Sequence, residues 1–268
     1  MAKKTKWEII ARSPDAVPPQ PMTKRVQSIP ARHYFAEHTH EWNQVVYAIS
    51  GVLTVVADGR SFVISPEHAA WLSPGTVHRV GSFLGAEFRS LWLADAPGGP
   101  LCERSATVFG MSPFLKALIL EASALDAATD SDGYFGRIYQ LILDQLLRAR
   151  PVSSALSWPQ SATLSELCEA LYNDPADPRG PKEWGVEFGM LGRTLARKFL
   201  ADMGVTMRSW RRQLRLFRAI EFLENGMDVT RTAMELGYNS TSAFIYAFRS
   251  DMKLSPLAYM RKRSMPTI

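Results

Sequence analysis

Two histidines, His38 and His40, stand one residue apart at the start of an apolar run, HTHEWNQVVYAISG (residues 38–51). Side chains at positions i and i+2 of a β-strand project from the same face, so both imidazoles can point to one side. Imidazole pairs suit transition-metal ions, and a bound metal can support catalysis. This segment therefore raises two hypotheses, a metal centre or a pocket of the same residue types for another ligand.

Positive charge is concentrated at the other end of the chain. Residues 181–268 hold 15 Lys and Arg against 8 Asp and Glu, whereas residues 1–180 hold 16 against 18. All five histidines lie between positions 33 and 78. This division predicts a C-terminal part that binds a polyanion and an N-terminal part that binds a small ligand or a metal.

The composition is that of a globular protein large enough for two domains. With 268 residues, 46% hydrophobic and 21% charged, the chain is neither disordered nor dominated by membrane spans. No apolar run approaches the roughly 18 residues of a spanning helix, and the N-terminus lacks the apolar core of a secretory signal. The two cysteines form no CxxC pattern, which fits a reducing compartment. We expect a cytoplasmic protein with no membrane partner.

The pattern of the chain changes several times along its length. We divide it into an N-terminal extension, a β-rich segment, a helical linker, a short linker and an all-helical part: residues 1–21, 22–110, 111–150, 151–160 and 161–268. Short strand-like runs separated by turns such as Asp58-Gly59 predict a barrel or sandwich in the β-rich segment. Ser112 and Pro113 mark the start of two helices, which could form a self-contained hairpin or an oligomerisation surface.

The all-helical part contains an internal repeat. The segments GMLGRTLARKF (189–199) and GYNSTSAFIYAF (237–248) align with one inserted residue, and each follows a short helix that ends at a glycine. Glycine accepts the positive φ of a sharp turn between helices, and Ser240 can cap the helix that follows. This order predicts two helix-turn-helix motifs, whose second helices enter the major groove of DNA.

Between the two copies, residues 205–226 predict one long helix that begins after Thr206 and ends at Gly226. About 19 helical residues span about 28 Å, close to the ~34 Å between major-groove entries on one side of DNA. The helix could therefore hold two reading elements on one face of the duplex. Its arginines share a face, and we expect only one or two of them to meet phosphate.

These residues give the chain a specific resemblance. Residues 183–262 resemble the DNA-binding domain of the AraC/XylS family of transcription regulators, through GRTLARKF, WRRQLRLFRAIEFLENG, VTRTAMELGYNSTSAFIYAFR and LSPLAYMR. The resemblance implies that the first recognition helix presents Arg193, Ala196 and Arg197 to DNA. In the second helix it implies the same role for Thr241, Ser242, Ile245 and Tyr246. Four apolar positions are expected in the core: Leu195, Phe199, Phe244 and Phe248.

One departure from the family concerns the start of the first recognition helix. The family usually has a Ser-type cap there, whereas this chain has Leu191 followed by Gly192. Loss of a cap costs about 1 kcal/mol, and a glycine at a helix start adds freedom. We expect this helix to be less well ordered than the second, or to become ordered on DNA.

The β-rich segment resembles the cupin barrel that precedes this DNA-binding domain in many family members. His38, His40 and Gly51 fit the first cupin motif, and Gln44 stands where glutamate is usual. SPGTVH fits the second motif and supplies His78.

The cupin resemblance implies that His38, His40 and His78 face the barrel interior. There, with Gln44, they could form a site for a divalent metal such as Zn, Fe or Ni. Gln44 brings no negative charge, which weakens that interpretation. The alternatives are a small-molecule pocket and a packed interior of neutral, hydrogen-bonded histidines.

Taken together, the sequence predicts an α+β multidomain protein with an N-terminal cupin β-barrel, a helical linker or dimerisation segment, and a C-terminal all-α domain with two helix-turn-helix motifs. We expect a bacterial transcription regulator, not an enzyme, that binds double-stranded promoter DNA as a homodimer and responds to a small molecule or metal. The alternatives are a metal-dependent cupin enzyme fused to a DNA-binding domain, and a regulator whose barrel only dimerises.

Overall fold

The structure of the chain is a computed structural model. It describes residues 7–11, 19–58, 60–125, 133–152 and 156–264. The chain divides into two compact units, residues 1–155 and 156–268. Within the described ranges, no helix combines the length and the apolar character that crossing a bilayer requires.

The N-terminal unit consists of short strands followed by two helices. Its strands are β1 (Glu8–Ile10), β2 (Met22–Ile29), β3 (His33–Phe35), β4 (Asn43–Gly51), β5 (Leu53–Ala57), β6 (Arg60–Ile64), β7 (His68–Leu72), β8 (His78–Ser82), β9 (Ala86–Leu93) and β10 (Ala106–Gly110). Its helices are α1 (Pro113–Ala124) and α2 (Tyr134–Arg148).

The strands of this unit form two sheets. One orders its strands β1-β3-β8-β5-β6 and the other β10-β7-β4-β9-β2. Apolar side chains from both sheets, among them Val46, Phe88 and Val55, share one core. The opposite face of the second sheet, through Val45 and Tyr47, packs against α1 and α2. Strand β4 is buried along most of its length because both of its faces are covered.

The local signals of the sequence are confirmed in this unit, with one addition. Ser112 caps α1 by accepting a hydrogen bond from the backbone N–H of Leu115 at 3.0 Å. Strands β5 and β6 pair antiparallel with Ala57 opposite Arg60, which agrees with the hairpin expected at Asp58-Gly59, although Gly59 itself lies outside the described residues. The addition is β1, which lies in the expected N-terminal extension and pairs in parallel with β3.

The C-terminal unit is helical except for one short strand. Its elements are β11 (Leu156–Trp158), α3 (Ala162–Asn173), α4 (Pro181–Glu187), α5 (Gly192–Met203), α6 (Met207–Glu224), α7 (Val229–Glu235), α8 (Thr241–Met252) and α9 (Pro256–Ser264). The four apolar positions expected in its core are 0–2% exposed, which confirms that expectation.

Strand β11 shortens the expected linker 151–160. The indole N–H of Trp210 on α6 donates a hydrogen bond to the carbonyl oxygen of Ser157 at 2.7 Å. The chain from residue 156 onward therefore belongs to the C-terminal unit, and the boundary lies five residues before the expected one.

Candidate nucleic-acid interface and pocket

Helices α4 and α5 form the first of two similar helix pairs. The turn between them has Gly189 at a φ of +65°, as the sequence predicts. Leu191 precedes α5 with extended backbone and makes no side-chain capping hydrogen bond. The N-terminus of α5 therefore has no side-chain acceptor for its first N–H groups.

Gly192 is required by the packing of this first pair. A Cβ atom at Gly192 would lie 2.7 Å from the Cα of Lys182 and 2.9 Å from the carbonyl oxygen of Pro181. A Cβ at Gly185 would lie 2.7 Å from the carbonyl oxygen of Met190. The two glycines thus let the backbones of α4 and α5 touch, a role that the sequence expectation of a loose helix start did not include.

Helices α7 and α8 form the second pair. Gly237 occupies the turn at a φ of +70°, and the hydroxyl of Ser240 accepts a hydrogen bond from the backbone N–H of Ala243 at 3.1 Å. Asp228 caps α7 by accepting from the N–H of Arg231 at 2.9 Å. Both helices of this pair therefore begin with a side-chain cap.

The expected DNA-contacting residues lie toward the surface of α5 and α8. Arg193 and Arg197 are exposed, one helical turn apart, and Ala196 beside them is half-buried. On α8, Ser242 is exposed and the side chain of Tyr246 is 79% exposed. The two remaining residues, Thr241 and Ile245, are half-buried. The apolar residues of α5 and α8 that alternate with these positions point into the core, so each helix keeps a polar face toward solvent.

Arg249 is a surface residue that the sequence reasoning missed. It is exposed and follows Ser242 and Tyr246 at helical spacing, so the three side chains share one face of α8. The periodicity of the sequence alone could have identified it. Arg249 extends the polar face of α8 by one positive charge.

The long helix α6 spans 18 residues, begins after the cap Thr206, and stops before Gly226, whose φ is +81°. Two of its arginines pair with acids. Arg212 pairs with Asp251 on α8. The buried Arg218 donates to the carboxylate of Glu221 at 2.6 Å.

Glu221 and its partners form a buried polar cluster. Tyr172 on α3 donates its hydroxyl hydrogen bond to Glu221 at 2.5 Å, and the guanidinium of Arg218 lies 4.9 Å from the Tyr172 ring centroid. Burial raises the pKa of Glu221, against the opposing effect of the Arg218 charge. The cluster ties α3 to α6 inside the domain.

Two further arginines of α6 bind backbone oxygens of the segment that precedes α4. Arg211 donates to the carbonyl oxygens of Asp177 and, at 2.6 Å, Arg179. Arg215 donates to the carbonyl oxygen of Pro175 at 3.1 Å. These arginines therefore position the first helix pair on α6, whereas Arg208 of the same helix is exposed.

A small cavity of about 40 Å³ lies between the sheets of the N-terminal unit. Its lining consists of Arg25, Gln27, Phe35, His38, Gln44, Val80, Phe88, Ser90 and Trp92. The guanidinium carbon of Arg25 lies 4.6 Å from the centroid of the Trp92 ring, and the side-chain amide of Gln44 is 2.5 Å from the Ser90 hydroxyl. The cavity thus combines one cation, several hydrogen-bonding groups and an apolar wall.

The three histidines of the expected metal site come together beside this cavity. The ring centroids of His38 and His78 lie 4.2 Å apart, and those of His40 and His78 lie 5.0 Å apart. Their proximity follows from backbone pairing, since the main chains of His38 and His78 form an antiparallel bridge. The spatial grouping that the motifs imply is therefore present.

The hydrogen bonds of these histidines engage Nδ1 of each ring. Each Nδ1 atom lies 2.8 Å from a backbone carbonyl oxygen, which leaves Nε2 as the nitrogen a metal would need. In His40 the amide of Gln44 lies 2.7 Å from that atom. Across the described ranges, no three His, Cys, Asp or Glu side chains are arranged to hold a metal ion. The packed, hydrogen-bonded alternative accounts for these contacts, and a bound metal or small molecule at His38, His40, Gln44 and His78 stays a prediction.

Two known protein families match this chain, one in its C-terminal part and one in its N-terminal part. Residues 184–262 match the family described as a helix-turn-helix domain, and residues 25–97 match the family described as an AraC-like ligand binding domain. The two matched segments together cover more than half of the chain.

Two curated relatives are transcription regulators. The HTH-type transcriptional regulator NimR of Escherichia coli (strain K12) is 25% identical over 225 residues, which cover 84% of this chain and 82% of NimR. The HTH-type transcriptional regulator RipA of Corynebacterium diphtheriae is 28% identical over 116 residues, 43% of this chain and 33% of RipA.

Among solved structures, one of ToxT from Vibrio cholerae with bound unsaturated fatty acid aligns with 92% of this chain and 97% of its own. The sequence identity is 13% and the TM-score is 0.37. A TM-score this low does not establish a shared fold.

Proposed function

This chain belongs to the AraC family of transcription regulators, and from that premise we propose that its two C-terminal helix pairs read two neighbouring segments of one promoter site. The observation that carries this proposal is the repeated pair of helices, each with an exposed polar face on its second helix, joined by α6. We propose that α5 and α8 are the recognition helices of two helix-turn-helix motifs.

The dimensions and side chains of this unit support two reading elements. Helix α6 has 18 residues and is therefore about 27 Å long, so α5 and α8 at its two ends can enter successive major grooves. Arg193 and Arg197 suit guanine or phosphate, and Ile245 suits a thymine methyl group. Arg249 at the end of α8 suits a phosphate.

We propose that the cavity of the N-terminal unit is the effector site and that the β-rich unit is a cupin-type barrel. Arg25 and the amide of Gln44 favour a small ligand with hydrogen-bond acceptors or negative charge, and Trp92 offers an aromatic surface. We propose that this ligand is bound without being transformed. Gln44 replaces the carboxylate that metal-dependent cupin enzymes commonly use, which argues against the enzyme alternative.

Effector control requires that the ligand prefer one of two arrangements of the protein. We propose a bacterial cytoplasmic homodimer whose affinity for its operator changes when the cavity is filled. The polar lining of the cavity favours effector binding over the alternative in which the barrel serves dimerisation alone, because an interior with only a structural role is expected to be apolar.

Selection from a random pool of duplex DNA by the purified full chain tests the proposal. We expect one enriched motif with two segments about one helical turn, or ~34 Å, apart. Substitution of Arg193 and Arg197 by alanine should relax sequence preference in one segment, and substitution of Ser242 and Tyr246 in the other. If no motif were enriched over non-specific DNA, the proposed function would be overturned. If either variant lost sequence preference in both segments, the assignment of one helix pair to each segment would be overturned.

A further inference from the structure

One short segment touches both helix pairs of the C-terminal unit. The α3–α4 segment, residues 174–180, connects the end of α3 at Asn173 to the start of α4 at Pro181. Pro175 and Asp177 within this loop are buried. Because connecting segments usually run over the surface, the burial of this one indicates contacts on more than one side.

The C-terminal half of the α3–α4 segment is tied to the first helix pair. The guanidinium carbon of Arg179 lies 3.7 Å from the ring centroid of Trp184 on α4, and Arg179 pairs with Glu187 of the same helix at 2.5 Å. Arg179 also pairs with the buried carboxylate of Asp177 at 2.6 Å. Since the backbones of α4 and α5 touch at Gly192, the segment and the first pair are packed together.

The N-terminal half of the α3–α4 segment lies against the turn of the second pair. A Cβ atom at Gly237 would lie 2.9 Å from the Cα of Ala176 and 3.1 Å from its methyl group. Gly237 has a φ of +70° in the turn between α7 and α8, so the segment meets the second pair where that pair bends. Backbone packing this close leaves little room for relative motion.

Arg211 and Arg215, the two arginines of α6 that donate to the α3–α4 segment, stand one helical turn apart. Besides its bond to the carbonyl oxygen of Pro175 at 3.1 Å, Arg215 has its guanidinium carbon 5.6 Å from the ring centroid of Tyr238, in the turn of the second pair. Burial, and to a smaller extent the charge of Arg215, lowers the pKa of Arg211. Strong hydrogen bonds from charged donors offset the cost of burying two like charges side by side.

We propose that the α3–α4 segment fixes the distance and angle between the recognition helices α5 and α8, and thereby sets the spacing of the two DNA segments that the chain accepts. Arg211 and Arg215 are its positioning residues. Helix α6 alone connects the pairs through Gly204 and Gly226, whose φ values are +69° and +81°, and glycine leaves such turns conformational freedom. The inference rests on the proposed reading of DNA by two helix pairs and adds what holds them at one spacing.

Operators of altered spacing test this inference with the full chain. One inserted base pair moves the second DNA segment by ~3.4 Å and turns it by about 34°. We expect the unaltered chain to prefer the selected operator over its one-base-pair insertion by roughly tenfold or more, because two rigidly held pairs cannot then engage together. In the double variant Arg211→Ala and Arg215→Ala, this preference should fall to about threefold or less. A merely structural defect would lower both affinities equally.

Two control variants separate positioning from a loss of charge or stability. Arg231→Ala removes an exposed arginine of α7 that pairs with Glu235 at 3.8 Å. Tyr259→Phe removes a hydrogen bond of 2.9 Å to Glu224 at the end of α6. Both contacts lie outside the α3–α4 segment, so we expect each control to keep the spacing preference of the unaltered chain. Circular dichroism establishes that every variant is folded.

Conservative variants keep the test decisive if the double variant fails to fold. Arg211→Lys and Arg215→Lys retain the charge but replace the planar guanidinium by a single ammonium group. We expect each to show a spacing preference between those of the unaltered chain and the double alanine variant. A preference equal to that of the unaltered chain in both would overturn their positioning role.

A distance measurement without DNA tests the same point independently of the operator. Spin labels attached through Lys198→Cys on α5 and Ser250→Cys on α8, both exposed positions, report the separation of the two helices by pulsed electron paramagnetic resonance. The labelled chain carries Cys102→Ala and Cys168→Ala and is diluted with unlabelled chain to suppress distances between copies. We expect one narrow distance distribution in this background and a broader one when the double alanine variant is added.

The outcomes are distinguishable. An unchanged spacing preference together with an unchanged distance distribution would overturn the role of the α3–α4 segment and leave the reading function intact. A preference that falls while the distribution stays narrow would assign the two arginines to DNA contact and would also overturn the inference. If selection yielded no operator, the reading function would be overturned, and the distance distribution would still decide whether the segment holds α5 and α8 in place.

Discussion

The side-chain amide of Gln44 lies 2.7 Å from Nε2 of His40. His40 holds its other ring nitrogen, Nδ1, against the carbonyl oxygen of Trp42 at 2.8 Å, so each of its ring nitrogens lies within hydrogen-bond distance of an oxygen. The side-chain N–H of Gln44 donates to the Ser90 hydroxyl. A metal ion at His40 would have to break this chain of hydrogen bonds.

We therefore expect the protein as purified to retain no stoichiometric metal and its DNA binding to be insensitive to a chelator. Gln44→Glu restores the carboxylate and should increase retention of Zn, Fe or Ni, because a negative oxygen ligand joins the three imidazoles. Elemental analysis of both proteins measures this. About one metal ion per unaltered chain would contradict the expectation. Gln44→Ala is the control, because it removes the side-chain oxygen at this position.

Gly192→Ala should destabilise the first helix pair. Its Cβ would lie 2.7 Å from the Cα of Lys182, and relief of a backbone clash by shifting a packed helix typically costs about 1–3 kcal/mol. Chemical denaturation gives the change in the free energy of unfolding. Gly110→Ala is the matched control, because a Cβ there meets nothing within 4 Å; an equal effect of the two substitutions would show that Gly192 is not a packing requirement.

Leu191→Ser should stabilise the chain. The backbone of Leu191 has φ −68° and ψ 143°, close to the −69° and 151° of the cap Thr206, so a serine hydroxyl can reach an N–H of the first turn of α5. Gain of such a cap is worth about 1 kcal/mol, and Leu191 is 65% exposed, so little burial is lost. Thermal unfolding measures the gain, and a stability equal to or below that of the unaltered chain would count against the capping geometry.

Glu221→Ala should destabilise the C-terminal unit by about 3–5 kcal/mol, because it leaves the buried Arg218 without a counter-charge. Arg231→Ala removes one partner of an exposed pair, Arg231 and Glu235 at 3.8 Å, and should cost less than about 1 kcal/mol. Denaturant unfolding of both variants measures the contrast. A small loss in Glu221→Ala would indicate that water replaces the carboxylate.

Local signals explain most of what the sequence predicts correctly. The alternating runs of the N-terminal part, the caps Ser112, Thr206 and Ser240, and the positive φ of Gly189 and Gly237 depend on neighbours in sequence. The surface positions of the α5 and α8 residues follow from helical periodicity. Their contacts with DNA stay predictions.

Distant contacts explain what was missed. Arg211 and Arg215 bind carbonyl oxygens more than 30 residues away, and no periodicity of α6 indicates that. In the sequence, Gly192 indicates only a weak helix start. The structure shows that the backbone of Lys182 packs closely against it. The histidine motif predicts that the rings meet but cannot show that the Gln44 amide takes Nε2 of His40.

Arg197→Ala should weaken operator binding and change its dependence on salt. If Arg197 meets a phosphate, its loss removes about one released counterion, so the slope of log K against log salt should fall in magnitude by about 0.9. If it grips guanine instead, the loss should be about 1–3 kcal/mol and confined to sites that carry that base. Fluorescence anisotropy at several salt concentrations, with Arg79→Ala as control, separates the two. Affinity and slope equal to those of the unaltered chain would show that α5 does not dock through this residue.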